Sequence, residues 1–306
     1  MTEKNDLYGT IISCVGGLYT VCRTDGEKVA ARARGSFRYE KNSPLAGDNV
    51  LLHKENDTFA INKIYERKNS LVRPPIANLD TLFVSFAPTE PAPNLLCVDK
   101  LLSVATAANI HSVIVITKSD LSDDMAEKYA NIYRKAGYPV FITSSREHKG
   151  LDELKKLISE SGCGKIFAFA GASGIGKSSI MNALFPDLSL KTGALSEKIS
   201  RGKQTTRTVE LFPITLENGN EVFVADTPGF SVLEFSAIPN FKKEDLAATF
   251  PEFERFKCDC RWRDCTHTKD GDCGIINAVK SGDIAKERHE NFLLMYDELA
   301  KIPSWK

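Results

Sequence analysis

Charge of one sign is what this chain most lacks: its 306 residues carry 40 Lys and Arg against 40 Asp and Glu. Such neutrality argues against a protein that coats nucleic acid by bulk charge, so RNA contact has to come from local patches. Long hydrophobic runs are missing as well. No stretch reaches bilayer-spanning length without meeting a charge or a proline, and residues 1–6 are polar, without the apolar core of a secretory signal. The expectation is a cytoplasmic chain with no membrane attachment. That reducing compartment disfavours structural disulfides, so the eight cysteines need another explanation.

What is present is a phosphate-binding loop. Gly171-Ala172-Ser173-Gly174-Ile175-Gly176-Lys177-Ser178 has the spacing Gly-x4-Gly-Lys-Ser. It follows a buried-strand run, Ile166-Phe167-Ala168-Phe169-Ala170, and precedes Ser179-Ile180-Met181-Asn182-Ala183-Leu184-Phe185, which reads as the start of a helix. A strand, a Gly-rich turn and a helix N-terminus together aim successive backbone N–H groups at a phosphate. Lys177 is expected to reach the β- and γ-phosphates, and the Ser178 hydroxyl to ligate Mg²⁺. A structural Gly-rich turn is the plainer alternative.

Thr117-Lys118-Ser119-Asp120 follows the β-branched run His111-Ser112-Val113-Ile114-Val115-Ile116, so it sits at the carboxyl end of a strand, where open α/β sheets bind ligands. The Asp120 carboxylate can accept from the ring N–H and the exocyclic amine of guanine, whereas adenine would set a lone pair against it, a mismatch costing a few kcal/mol in a buried polar site. The Lys118 stem would cover one face of the base. Thr117 stands where this motif usually has Asn, which predicts fewer hydrogen bonds to the phosphate loop. The run ending Thr143-Ser144-Ser145 supplies a further strand and turn, with Ser144 and Ser145 as candidate backbone donors to the guanine carbonyl.

Glu221-Val222-Phe223-Val224-Ala225-Asp226-Thr227-Pro228-Gly229 is again strand and loop. Asp226 is expected to hold Mg²⁺ through water and the Gly229 N–H to sense the γ-phosphate. A lone Asp-x-x-Gly is more often an ordinary turn. Here it follows the phosphate loop, and between them lies the basic stretch Gly202-Lys203-Gln204-Thr205-Thr206-Arg207. Thr205 or Thr206 would be the second Mg²⁺ ligand, ordering that loop in the GTP state. The motif order is base reader, phosphate loop, metal motif. An ordinary Ras-like GTPase has the phosphate loop first, so the order predicts a circularly permuted GTPase.

Upstream, five short alternating segments between Gly9 and Ile64 predict a small closed barrel of the OB type. Arg23, Lys28, Arg32, Arg34, Arg38 and Lys41 crowd it, either as an RNA-binding face or as a solvated barrel edge guarded by charge. Downstream, Cys258, Cys260, Cys265, His267 and Cys273 lie within sixteen residues. Three thiolates and one imidazole suit tetrahedral zinc, with five candidates for four places. Ile284, Phe292, Leu293, Met295, Tyr296 and Leu299 recur at helical spacing, predicting a helix packed on the GTPase part or the zinc module. The fold class is thus α/β and multi-domain: an OB-type barrel over residues 1–68, a permuted GTPase over 69–232, and a helical zinc-binding module over 233–306.

In this combination the chain resembles the ribosome small-subunit-dependent GTPase A (RsgA) family, whose members join these three parts in this order. The family's zinc pattern, Cys-x4-Cys-x-His-x5-Cys, falls on Cys260, Cys265, His267 and Cys273 and leaves Cys258 over. The family's Gly-Arg-His-Thr-Thr loop falls on residues 202–206, with Lys203 and Gln204 as departures. The resemblance implies GTP hydrolysis stimulated by the small ribosomal subunit, contact with its rRNA, a late role in its maturation, one Zn²⁺ per chain, and Mg²⁺ with GTP or GDP. The chain is expected to act as a monomer. Phe230 occupies the place of the water-orienting Gln of Ras-like enzymes, and Gly174 the place of a potassium-holding Asn. Slow unassisted turnover is the consequence. The alternatives are a permuted GTPase acting on the large subunit and a nucleotide-dependent RNA-binding protein with little turnover.

Overall fold

The computed structural model describes residues 6–34, 37, 43–55, 58–72, 74–188, 209–226, 235, 238, 241–269 and 271–301. Arg38, Lys41, Thr205, Thr206, Gly229 and Phe230 therefore lie outside the described residues, as does the side chain of Asp226.

Strands β1 (Asp6–Val15), β2 (Leu18–Arg23), β3 (Lys28–Ala33), β4 (Asn49–Glu55) and β5 (Thr58–Ile64) close into a barrel: β1 pairs with β2 and β4, β3 with β2 and β5, and β4 with β5. Alternation drives it, interrupted by register shifts at Ile11–Ser13 and Leu51–Leu52. Ile11, Val21, Val29, Ala31, Val50, Leu52 and Ile61 point inward and form one buried cluster, while their chain neighbours face outward. Gly16 and Gly17, both at positive φ, make the tight β1–β2 turn that L side chains resist.

A short hairpin, β6 (Ser70–Leu71) with β7 (Ile76–Ala77), leads into the second sheet. Its parallel strands are β8 (Thr81–Phe86), β9 (His111–Ile116), β10 (Val140–Ile142), β11 (Ile166–Ala170) and β13 (Glu221–Asp226), with β12 (Glu210–Thr215) antiparallel to β13, in the order β10-β9-β8-β11-β13-β12. Helices α1 (Leu95–Ala107), α2 (Asp123–Lys135), α3 (Leu151–Glu160) and α4 (Lys177–Leu184) make the crossovers, covering both faces of near-continuous apolar strands. The barrel meets this sheet at one seam, where Ser13 of β1 pairs with Glu210 of β12. There the Cys22 thiol points at Glu221 Oε1 from 3.7 Å, and burial together with that carboxylate pushes its pKa up to about 11.

The remaining chain forms 3-10 turns over Lys243–Thr249, Pro251–Arg255 and Lys257–Asp259, then α5 (Gly274–Ser281) and α6 (Lys286–Ala300). Helix α6 packs on α1. Phe292, Met295 and Leu299 are buried on it as the spacing predicts, whereas Ile284 is buried just ahead of the helix. At the centre of the contact Arg288, 1 % exposed, donates from Nη1 to Asp99 Oδ1 of α1 at 2.6 Å and from Nε to Glu252 Oε1 at 2.7 Å. The Phe250 ring lies 4.4 Å from the guanidinium. Burial alone would lower the Arg288 pKa, but the two carboxylates, Asp99 foremost, hold it well above its ordinary value.

Candidate nucleotide-binding site and cysteine–histidine cluster

The phosphate loop leaves β11 and enters α4, as its flanks predict. Gly171 has φ +138°, and a Cβ there would stand 2.1 Å from the Ser85 carbonyl oxygen of β8, so only glycine permits that approach. Gly176, at φ +97°, caps α4. The Lys177 ammonium donates to the Gly171 and Ala172 carbonyls at 2.8 and 2.7 Å, which sets it across the mouth of the loop. Ala172, Ser173, Gly174 and Ser178 are exposed there, Ser179 is half-buried, and Ile175 is buried as the loop's anchor.

The base-reading motif follows β9, two strands away across β8. Thr117 is buried, and its hydroxyl donates to the Ile175 carbonyl at 2.5 Å. The threonine in the Asn position therefore keeps a direct bond to the phosphate loop. Lys118 takes a left-handed φ of +51°, and its stem passes Gly176, with Cε 3.8 Å from where a Cβ would stand. Asp120 Oδ1 accepts from the Ser144 hydroxyl at 2.6 Å. That hydroxyl oxygen accepts in turn from the Glu147 N–H at 3.2 Å, which leaves its proton for Asp120 and fixes the carboxylate's orientation. The Ser144 N–H is committed to the Lys149 carbonyl at 3.0 Å. Ser144 thus reaches the site through its side chain; Ser145 follows it, half-buried, and Ser119 is buried with its N–H on the Thr143 carbonyl.

Strand β13 runs parallel to β11, with Ala225 opposite Ala168. Asp226, the last residue of β13, is therefore brought to the same sheet end as the phosphate loop and Ser178. Carboxylate and hydroxyl oxygens are the donor type that Mg²⁺ prefers.

In the last part of the chain, Cys260, Cys265, His267 and Cys273 bring one ligand atom each within 4.8 Å of one another. Cys260 Sγ lies 3.6 Å from His267 Nδ1 and 3.9 Å from Cys273 Sγ, and Cys273 Sγ lies 3.5 Å from His267 Nδ1. Bonds of about 2.3 Å to sulfur and 2.0–2.1 Å to nitrogen in a tetrahedron give edges of roughly 3.8 Å (S···S) and 3.5 Å (S···N), so the set fits a zinc ion. Burial and the neighbouring thiols push the Cys273 thiol up to about 12; crowding of that kind favours a cation that replaces the protons. Burial also lowers the His267 pKa, keeping the imidazole neutral as ligation requires. Two further contacts support the donors. The Gly274 N–H points at Cys260 Sγ from 3.3 Å, and the His267 carbonyl lies 2.9 Å from His289 Nε2. A Cβ on Gly274 would meet the Phe256 carbonyl oxygen at 2.2 Å. Cys258 is exposed, beside Asp259 and outside the cluster.

Sequence reasoning missed three features: the role of the Ser144 hydroxyl, Gly274, and Arg288 with its carboxylates. Only the last had a signal, an Asp99 inside an otherwise apolar helix, Leu-Leu-Cys-Val-Asp-Lys-Leu-Leu.

A parallel sheet that brings a phosphate loop and an earlier-occurring guanine reader to one edge defines a circularly permuted P-loop GTPase. Two family models match, "RsgA GTPase" over residues 64–236 and "RsgA N-terminal domain" over residues 8–61. The chain belongs to the RsgA GTPase family. The small ribosomal subunit biogenesis GTPase RsgA of Alkaliphilus metalliredigens is 41 % identical over 298 residues, covering 96 % of this chain and 98 % of its own length. The protein of that name from Bacillus subtilis is 38 % identical over 300 residues, covering 95 % of this chain and 97 % of its own. Among solved structures, YjeQ from Thermotoga maritima superposes with a TM-score of 0.79 at 32 % identity, over 97 % of this chain and 100 % of that one. YloQ, described as a circularly permuted GTPase, does so with 0.76 at 33 %, over 98 % and 97 %.

Proposed function

We propose that this chain binds the small ribosomal subunit and couples hydrolysis of GTP, to GDP and phosphate, to that subunit's maturation. The observation that carries the reading is the Asp120–Ser144–Thr117–phosphate-loop constellation, joined to relatives of that name that match almost end to end. Asp120 selects guanine, Lys118 covers the base, and Thr117 ties base reader to phosphate loop. The loop N–H groups and Lys177 bind the phosphates. Ser178, Asp226 and Thr205 or Thr206 would hold Mg²⁺, which would supply positive charge to offset that of the phosphates. The Gly229 N–H would sense the γ-phosphate.

Cys260, Cys265, His267 and Cys273 would hold one Zn²⁺ in this reading, which would supply folding energy to a segment with little core of its own. Residues 1–68, 69–232 and 233–306 act as barrel, GTPase and zinc-bearing units. On the barrel, Lys28, Arg32 and Arg34 are exposed and form the RNA-facing row. Arg23 is not available to it, because Asp25 and Glu27 already pair with it. In this reading the chain acts as a cytoplasmic monomer with no membrane attachment; among the described residues no helix is long and apolar enough to cross a membrane.

Phosphate release under multiple turnover, with isolated small or large subunits or neither, tests the reading. Stimulation by small subunits alone is expected. Stimulation by large subunits, or guanine nucleotide binding without turnover in any arm, would refute it.

A further inference from the structure

Beside the cysteine–histidine cluster lies an open cleft of about 280 Å³, walled by Trp262, Asp264, Thr266 and Lys269 together with three of the ligand residues. That is just below the ~300–1,000 Å³ of small-molecule sites, room for a single nucleotide at its open mouth and not for a folded element. The nucleotide machinery does not use it. Trp262 leaves 63 % of its surface exposed, on a loop whose backbone is fastened from both sides. The Arg261 N–H donates to the Asp272 carbonyl at 2.8 Å, and the Cys265 N–H to the Trp262 carbonyl at 3.3 Å. The Arg261 guanidinium lies 5.2 Å from the indole centroid and is itself held by Asp272 at 2.9 Å. The indole is thus presented outward from a loop tied at both ends, and an amphipathic ring so placed offers a face for an incoming partner to stack on.

The walls choose among coverings. An apolar peptide would leave Asp264 and Lys269 unpaired, and an anionic membrane surface would meet the carboxylate of Asp264. An unpaired RNA nucleotide matches the indole and both of those charges: it stacks on indole, offers N–H donors to a carboxylate, and carries a phosphate for an ammonium. A duplex cannot, because its base faces are already stacked. We propose that this cleft takes one unpaired RNA nucleotide, with the base on Trp262, its exocyclic amine on Asp264 and its phosphate near Lys269. The source of such RNA rests on the small-subunit reading above; the chemistry of the cleft does not.

The chain has two tryptophans, so Trp305→Phe in the full-length protein leaves Trp262 as the only indole reporter. Its fluorescence is followed on titration with single-stranded cytosine heptamers, uracil heptamers and a duplex RNA of equal length. Saturable quenching by single strands is expected, tighter for cytosine, which carries the amine, than for uracil, with little from the duplex. Trp262→Ala should weaken cytosine-heptamer binding, read by polarisation of labelled RNA, by roughly 5- to 150-fold, the equivalent of ~1–3 kcal/mol for one stacked base. Trp262→Phe should recover most of it at unchanged zinc content.

Absence of quenching, equal quenching by the duplex, or undiminished binding by Trp262→Ala would overturn the proposal. So would loss of subunit co-sedimentation in Trp262→Ala without any RNA quenching, since the ring would then dock on protein. Small-subunit stimulation of wild-type turnover is scored separately. If it persists while the RNA arms fail, the cleft inference alone is wrong; if it is absent while quenching holds, the small-subunit reading alone is wrong.

Discussion

Arg288→Ala should cost the protein on the order of 3–5 kcal/mol, the range for breaking one side of a buried ion pair. The side chain is 1 % exposed and holds two carboxylates, Asp99 and Glu252, that are equally buried. Without it Asp99 keeps the Asn291 amide, at 2.7 Å, and Glu252 loses both of its hydrogen bonds from the guanidinium. Most of the cost is orphaned negative charge rather than lost volume, which gives the prediction two independent arms. First, Arg288→Ala combined with Asp99→Asn and Glu252→Gln should recover about half of the loss. Second, the orphaned carboxylates should have raised pKa values by burial, so the folded variant binds more protons than the unfolded one. Its stability should then rise, and its deficit against wild type shrink, as pH falls from 7 toward 5. Urea unfolding followed by circular dichroism, with hydrogen exchange on α1 and α6 to localise the change, measures both. A deficit below about 1 kcal/mol, or a triple variant no better than the single one, would refute the charge argument. GDP affinity should stay at the wild-type value throughout.

Asp120→Asn should weaken GTP binding by on the order of 1.5–3 kcal/mol and admit xanthine nucleotides, checked by competition binding; unchanged guanine preference removes Asp120 from the site. Thr117→Val should lower GTP affinity several-fold, as about 1 kcal/mol of hydrogen bonding to the phosphate loop is lost, and isothermal titration reads it directly. Lys177→Ala should lose nucleotide binding and turnover together. Cys260→Ser should release zinc by metal analysis, whereas Cys258→Ser retains it. Gly274→Ala should also lower metal retention, because a Cβ 2.2 Å from the Phe256 carbonyl forces the α5 N-terminus away from Cys260.

The elements most legible in sequence were those where one face or both are buried. β9 and β11 run between the residues that their apolar and β-branched runs mark, because burial there depends on local pattern alone. β1 begins earlier than its apolar pattern, at Asp6, since Leu7 and Tyr8 extend its pairing with β4. β12 was invisible. Pro213 argues against a strand, and it is tolerated because β12 is an outer strand with a single pair to the barrel. Within the site, the phosphate loop and the Cys/His spacing are local and could be read. The Ser144–Asp120 bond and the Arg288 network join residues far apart in the chain, and only the packed topology brings them together. Nor did motif spacing convey that Thr117 keeps its hold on the loop, which depends on the depth of β9 beside Ile175.

The strand order also bears on how the molecule is assembled as it is made. The base-reading half, β8 to β10, is complete before the phosphate-binding strand exists, and in the finished sheet β8 lies between β9 and β11. A nascent chain that stops after β10 therefore presents the apolar strand Thr-Leu-Phe-Val-Ser-Phe with one open edge, the kind of edge that seeks another chain. Arrival of β11 seals that edge and, within the same few residues, delivers Gly171 against Ser85 and Ile175 against Thr117. Guanine nucleotide can be bound only once β11 has covered the open edge of β8, so in this order of parts ligand binding doubles as a report that the base-reading half has been joined to the phosphate loop.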